Sequence, residues 1–427
     1  MILLAITILM LLLILLRVPV AIAILSSAIL GLVILTGFGG AVSVLQTVPY
    51  SAVASNALTA IPLFILMAQF ILHSGALKGL FDAVRVIIGR VRGGTAYAAI
   101  GAGAVFASIS GSSTASAATL ANTANDQMVE QGYDPRLSAG VIAASGTLAA
   151  MIPPSVLLIF YAITAETSVG KTLMAGLLPG LLVAVSIMIT VMLTIRLRSG
   201  AAPKGQATSW SEKARSLVKV APILLIFLLV MGLVFLGITT ASEAAAAGAL
   251  GGLVLLIASG SFSLDTVKGS FYKTASSSVM VLTIVLAAYI FGHFVVETEV
   301  TPKLIQGISN LPAAPWVIVA AIAIIYLFLG FFMDQMAIIA LTVPITLPVV
   351  QALGFDPIWF GIVVILMAEI GLISPPLGLN VFVVAKAAKL PVESVFAGSL
   401  PFTVSILAVV VLVFVFPPLA LFLPSLM

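Results

Sequence analysis

Two stretches of a mostly apolar sequence carry residue types that could bind ions. The first, FASISGSSTASAATLANT at residues 106–123, is rich in hydroxyl-bearing and small side chains. The second, FFMDQMA at residues 331–337, contains a single carboxylate, Asp334. Hydroxyl, carboxylate and free backbone carbonyl oxygens are ligands for a hard cation such as sodium. Both stretches are therefore candidate ion sites.

Two Pro-Pro pairs add a second kind of site. They lie in AAMIPPS at residues 149–155 and in GLISPPLGLN at residues 371–380. Pro lacks an N–H group and clashes with the preceding turn, so each pair predicts an interrupted helix. A cut helix presents carbonyls at one end and N–H groups at the other, which suit a cation and an anion respectively. Because residues 96–133 and 314–356 contain no Lys or Arg, an anionic substrate would be held by dipoles, hydroxyls and bound cations.

These features predict one site for a hard cation such as sodium in each half of the chain, and a substrate site between them. The first sodium site is expected to comprise Ser108, Ser110, Ser113, Gly146 and Thr147. The second is expected to comprise Gly330, Asp334, Thr342, Ala368 and Gly371. The substrate is expected to contact Ser112, Ser155 and Asn380. No other metal and no organic cofactor is expected.

The elements that position these residues are membrane helices. Of 427 residues, 62% are hydrophobic and 7% are charged, against roughly 25% charged in a soluble domain. The absence of Cys excludes disulfides and Cys-based metal sites. The first apolar run lacks a basic n-region and a small-residue cleavage site, so we interpret it as a membrane helix rather than a signal peptide. Ten crossings are predicted, at residues 2–16, 19–37, 57–73, 136–165, 172–197, 220–237, 243–259, 275–296, 357–389 and 395–425.

Four further apolar segments, two flanking residue 111 and two flanking residue 331, are each about 14–18 residues long, which is short for a span of about 20. They predict two re-entrant hairpins with the polar stretches at their tips. A tip at membrane depth must be buried in protein or line a watery cavity, because lipid cannot satisfy its backbone. The bases in residues 196–219 place that segment in the cytoplasm, and the ten crossings then place both termini outside.

The chain also repeats itself. GYDP at Gly132 and GFDP at Gly354 are 222 residues apart, and the same offset aligns the two Pro-Pro pairs. It also aligns the two hairpin tips. With five crossings in each half, the two copies must be inverted relative to each other, which is the architecture of many secondary transporters. The fold class is therefore an all-α polytopic membrane protein with two inverted repeats, re-entrant hairpins and broken helices.

The motifs SISGSSTASAA, AAMIPPS, FFMDQMA and GLISPPLGLN together resemble the large membrane subunit of tripartite ATP-independent periplasmic (TRAP) transporters. The resemblance covers essentially the whole chain. It implies sodium-driven uptake of a carboxylate, such as a C4-dicarboxylate or a sialic acid, by an elevator movement in the bacterial cytoplasmic membrane, with sodium ions as the coupling ions. It also implies two partners, a small four-helix membrane subunit and a periplasmic substrate-binding protein. Scaffold elements are then expected at 1–95 and 220–312, transport elements at 96–198 and 313–427, and a cytoplasmic linker at 199–219.

Several alternatives stay open at this point. The hydroxyl-rich stretch could serve only close helix packing, and Asp334 could serve only as a helix N-cap. Glu369, inside a predicted crossing, is a functional candidate by default, although a structural hydrogen bond would also explain it. A membrane enzyme is disfavoured, because two His residues near helix ends and no Cys offer little catalytic material. A channel would need a continuous polar pore. A stand-alone sodium/dicarboxylate symporter of a related fold remains the nearest alternative.

Overall fold

The computed structural model describes residues 2–89, 91–110, 112–198, 200–203, 208–309 and 312–427. Of the side chains in those ranges, the ones at 77–78, 107–110 and 309 lie outside the description, and these include the predicted sodium ligands Ser108 and Ser110. Within these ranges the chain forms helices and no β-strand. The fold is therefore all-α, as the sequence predicts.

The helices of the first half precede the segment at residues 198–209. They are α1 (Ile2–Leu15), α2 (Val20–Val53), a 3₁₀ turn (Asn56–Thr59), α3 (Ala60–His73), α4 (Ala76–Ile88), α5 (Gly94–Ser110), α6 (Ser113–Leu120), a π-helical turn (Ala121–Asn125), α7 (Asp126–Glu130), α8 (Pro135–Gly146), α9 (Leu148–Met151), α10 (Val156–Thr164) and α11 (Val169–Leu197). The helices of the second half follow it. They are α12 (Trp210–Phe235), α13 (Ala241–Ala258), α14 (Leu264–Glu297), α15 (Val300–Ser309), α16 (Pro315–Gly330), α17 (Gln335–Ala352), α18 (Pro357–Ile373), α19 (Leu379–Ala388), α20 (Val392–Val415) and α21 (Pro418–Ser425).

The number of possible membrane spans differs from the ten predicted. Among the described residues, eight helices are long and apolar enough to cross a bilayer, or nine if α8–α9 and α10, bent by 44°, count as one span. Helix α1 has 14 residues, about 21 Å at 1.5 Å per residue, which is less than the ~30 Å hydrocarbon core. The predicted crossing at 357–389 is divided into α18 and α19 because the Pro375-Pro376 pair separates them. Helix α17 has 18 residues, within the length predicted for a hairpin arm, and it is also long and apolar enough to cross a bilayer.

Some segments expected as loops are helical. After a non-helical Gly37 (φ 73°), the chain continues as helix to Val53. Helix α12 begins at Trp210, ten residues earlier than expected, because Ser209 and Glu212 form a capping box there. The amphipathic helices α4 and α15 also occupy segments expected to be loops. In α2 the continuation is uncharged, and in α12 the start is locally capped, so each of these two helices extends beyond the apolar run that defined the prediction.

Helices from the two halves pack against each other. Helix α2 packs on α14 and α3 packs on α13, while α8 packs on α20 and α6 packs on α19. The α8–α20 crossing depends on glycine, because a Cβ on Gly140 would lie 2.2 Å from the carbonyl oxygen of Gly398. Small residues thus bring these backbones into direct contact.

The predicted helix interruptions are confirmed where the structure describes them. The first hairpin runs out along α5 and returns along α6, the π-helical turn and α7, with Ser112 extended at the start of α6. The second runs along α16 and returns along α17, with Asp334 extended between them. Two further interruptions lie at residues 152–155 and 374–378, around the Pro-Pro pairs.

Candidate functional site

A cavity of about 620 Å³ lies where the two hairpin tips meet, and we call it the tip cavity. From the tips it is lined by Ser112 and Thr114 of the first hairpin and by Asp334 of the second. Gln69 of α3 and Ser277 of α14 lie on its wall. The structure therefore places residues from both halves of the chain around one space large enough for a small organic molecule.

Three helix N-termini reach the tip cavity. Ser112 caps α6 by accepting a hydrogen bond from the Ala115 N–H at 3.4 Å. Asp334 caps α17 by accepting one from the Met336 N–H at 3.0 Å. The third is α10, which begins at the lining residue Val156. Each N-terminus carries a partial positive charge, so together they can attract an anion.

The charged lining of the tip cavity is acidic. Among its described lining residues, Asp334 is the one charged side chain, and it is exposed to the cavity space. No Lys, Arg or His occurs among those residues. An anion would thus meet backbone dipoles and hydroxyls, while the Asp334 carboxylate is available to a cation.

Part of the first predicted sodium site is brought together. A Cβ on Gly146 would lie 2.9 Å from the carbonyl oxygen of Ser113, so the end of α8 touches the first tip. The hydroxyl of Thr147 donates to the Ala144 carbonyl at 2.7 Å. The neighbouring Ser145 has a buried Oγ with no hydrogen-bond partner among the described residues. Ser113, Gly146 and Thr147 therefore lie in one region, beside a hydroxyl oxygen that is free to act as a ligand.

The second predicted site has a tightly packed centre. A Cβ on Gly330 would lie 2.7 Å from the carbonyl oxygen of Ala368, and a Cβ on Gly371 would lie 2.4 Å from the Gly330 carbonyl carbon. Asp334 follows four residues after Gly330. Thr342 lies eight residues further along α17, about 12 Å along the axis, and its hydroxyl donates to the Ile338 carbonyl at 2.6 Å. The structure thus groups Gly330, Ala368 and Gly371 and places Thr342 two turns away from Asp334.

The three predicted substrate residues have different surroundings. Ser112 lines the tip cavity. Ser155 is fully buried, and its Oγ donates to the Ala150 carbonyl at 2.8 Å and accepts from the Leu158 N–H, so it caps α10. Asn380 is fully buried near the start of α19, and neither side-chain polar atom has a partner among the described residues. Ser155 can therefore act by directing the N-terminus of α10 towards the cavity, and Asn380 keeps a free amide.

The predicted site residues do not include a contact that joins the two tips through Glu369. Glu369 of α18 is 1% exposed, and its Oε1 accepts hydrogen bonds from the Ser113 hydroxyl and the Gln335 side-chain amide. Its Oε2 is buried without a partner among the described residues. The sequence does flag Glu369 as a carboxylate within a crossing. In the sequence, the one feature that points to a role for Gln335 is its position 222 residues after Ser113, at the repeat offset.

Comparison with known proteins identifies the family. The model described as tripartite ATP-independent periplasmic transporter, DctM component, matches residues 7–419. The C4-dicarboxylate TRAP transporter large permease protein DctM of Pseudomonas aeruginosa is 32% identical over 370 residues, 86% of each chain. The sialic acid TRAP transporter large permease protein SiaM of Vibrio cholerae is 29% identical over 371 residues, again 86% of each chain.

A solved structure supports the fold independently. The YdaH transporter of Alcanivorax borkumensis superposes with a TM-score of 0.68, covering 90% of this chain and 89% of that one at 16% identity. The resemblance inferred from the tip and Pro-Pro motifs is thereby confirmed at the level of the family. Its relatives are permeases, a class of transport protein and not of enzyme. The chain belongs to the DctM family, the large membrane permease component of TRAP transporters.

Proposed function

We propose that this permease imports a carboxylate substrate together with sodium ions, using the tip cavity as the shared binding site. The observation that carries the proposal is the convergence of three helix N-termini on a cavity whose one described charged residue is Asp334. N-termini favour a carboxylate, and the acid favours a cation. A site with both features binds an anion and a cation together better than either alone.

A sodium ion would offset the repulsion between a substrate carboxylate and Asp334 in the cavity. Two like charges about 4 Å apart repel by roughly 4 kcal/mol at an effective dielectric constant near 20. A carboxylate substrate beside Asp334 would meet such repulsion unless a cation lay between or beside them. The proposed sodium ligands are those of the sequence prediction, Ser108, Ser110, Ser113, Gly146 and Thr147 in the first half and Gly330, Asp334, Thr342, Ala368 and Gly371 in the second. The membrane potential contributes about 2.3 kcal/mol per charge at 100 mV, so sodium entry can drive accumulation.

The packing supports an inverted-repeat elevator. The long helices α2 and α14 pack together, as do α3 and α13, and we assign them to a static scaffold. The hairpins pack with α8, α18 and α19, and α20 packs in turn on these three helices. We assign this group to a transport unit that moves across the membrane with its ions and substrate. The domain boundaries are those proposed from the sequence, as is the placement of both termini on the outer side of the cytoplasmic membrane.

The names of the relatives support the proposed substrate class and partners. Their names identify C4-dicarboxylate and sialic acid permeases, both of which handle carboxylates. The family name specifies a tripartite, ATP-independent system, so we propose a small membrane subunit and a periplasmic binding protein as partners. A stand-alone sodium/dicarboxylate symporter is not favoured, because the relatives are named as TRAP permeases.

Reconstitution tests this function. The chain and its small membrane subunit are placed in proteoliposomes, and radiolabelled C4-dicarboxylate or sialic acid is presented on the cognate binding protein with an inward sodium gradient. We expect uptake that needs both sodium and the binding protein, and no uptake when choline replaces sodium. Equal uptake in choline would contradict sodium coupling, whereas uptake by the chain alone would support the stand-alone symporter.

A further inference from the structure

The two hairpin tips bind the same carboxylate through equivalent positions. Ser113 and Gln335 are 222 residues apart, and each is the first residue of its helix after the N-cap residue, Ser112 or Asp334. Both side chains donate a hydrogen bond to Oε1 of Glu369. One oxygen atom in the second half of the chain thus accepts hydrogen bonds from equivalent residues of both repeats.

The arrangement is asymmetric about Glu369. At the 222-residue offset the equivalent of Glu369 is Thr147, whose hydroxyl donates to the Ala144 carbonyl of its own helix. The first half therefore offers no second carboxylate at this position. Breaking the Glu369 contacts would release both tips from each other, and the Thr147 hydrogen bond would not replace them.

Glu369 has no ion-pair partner among the described residues. Glu369 is buried, and the two ion pairs in the described part of the chain, Arg85–Asp82 and Lys303–Glu299, lie elsewhere. A buried charge without a partner is costly. Glu369 is next in the chain to Ala368, a member of the second proposed sodium site. It also accepts a hydrogen bond from Ser113, a member of the first. Cations in these sites would lie close to its carboxyl group and would favour its ionised form.

We propose that Glu369 is a positioning residue that joins the two tips, so that the two sodium sites form and empty together. The inference rests on the proposed sodium coupling. When one sodium ion orders its tip, the hydrogen bonds to Glu369 order the other tip, so binding of the second ion costs less free energy. Such coupling is reciprocal between the sites and makes the sodium dependence of uptake cooperative.

Four variants separate the connection from the charge. Glu369→Ala removes both hydrogen bonds, and Gln335→Ala removes one of them without touching a proposed sodium ligand. Glu369→Gln replaces the ionisable carboxyl group by a neutral amide but keeps an acceptor oxygen for Ser113 and Gln335. Glu393→Ala is the matched control, because Glu393 is an exposed carboxylate in the first turn of α20.

The experiment is a sodium titration of initial uptake rate in the reconstituted complex, with thermal unfolding of each purified variant as the folding check. We expect the wild-type chain and the Glu393→Ala variant to show a Hill coefficient clearly above one. Glu369→Ala and Gln335→Ala should each lower the Hill coefficient to about one. The variant that carries both substitutions should lower it no further, since both break the same connection. Glu369→Gln should keep the cooperativity while requiring more sodium for half-maximal uptake.

Three results would overturn the inference. One is a wild-type Hill coefficient of about one in the presence of clear sodium dependence, which leaves the proposed function intact. Another is unchanged cooperativity in Gln335→Ala, the variant that carries the test if Glu369→Ala fails to fold. The third is a loss of cooperativity in Glu369→Gln equal to that in Glu369→Ala, which would assign the effect to charge. Uptake indifferent to sodium in the wild type would overturn the proposed function as well.

Discussion

The contact between Gly330 and Gly371 gives the sharpest steric prediction. A Cβ on Gly371 would lie 2.4 Å from the carbonyl carbon of Gly330 and 2.5 Å from its Cα. Ordinary contact begins at 3.4 Å, so Gly371→Ala must separate α16 from α18 by about 1 Å. Overpacking of this kind costs about 1–3 kcal/mol. The strain falls where the second tip meets Glu369, two residues from the substitution.

The expected result is a weaker apparent affinity for sodium. If the cost of 1–3 kcal/mol opposes closure of the second site, half-maximal uptake should need roughly 5–150 times more sodium. The assay is a sodium titration of uptake by the reconstituted complex. Gly232→Ala is the control, because this glycine lies inside α12 with nothing within 4 Å of the added Cβ, so only a stabilisation of about 0.5–1 kcal/mol is expected. A wild-type sodium curve for a folded Gly371→Ala variant would refute the role of this contact.

Three further predictions concern the tip cavity. Asp334→Ala should raise the sodium concentration for half-maximal uptake about tenfold, because it removes the charge in the cavity and a helix cap worth about 1 kcal/mol. An unaltered sodium titration would exclude Asp334 as a ligand. Because the chain has no native Cys, Thr114→Cys should react with a maleimide at one position, and saturating carboxylate with sodium should slow that reaction; equal rates with and without substrate would argue against binding at this cavity. Asn380→Leu should raise the melting temperature, because it removes buried polar atoms that cost about 1–3 kcal/mol when unsatisfied. The same substitution should abolish uptake, and full uptake by this variant would exclude Asn380 from the substrate site.

The sequence predicts the parts of this molecule that depend on local backbone chemistry. Pro375-Pro376 cannot continue a helix, and α18 ends two residues before this pair. Ser112 and Asp334 are residue types that favour helix starts, and both are N-caps at the tips. Single residues with a strong conformational preference therefore locate the helix interruptions correctly.

The sequence does not predict features that depend on packing between distant segments. The Glu369 contact joins Ser113, Gln335 and Glu369 across three helices, and no local pattern states which carboxylate two equivalent positions will share. Helix ends are also poorly determined, because apolar membrane helices lack the alternation of polar and apolar faces that marks a boundary. The helical continuation to Val53 follows from this loss of signal.

Simultaneous measurement of sodium and substrate flux tests the central claim most directly. Proteoliposomes with the complete complex receive radioactive sodium and a differently labelled carboxylate, each with and without the other. The convergence of both tips on one cavity predicts that sodium enters only together with substrate delivered by the binding protein, at a fixed ratio. Substrate accumulation without accompanying sodium entry would contradict the account.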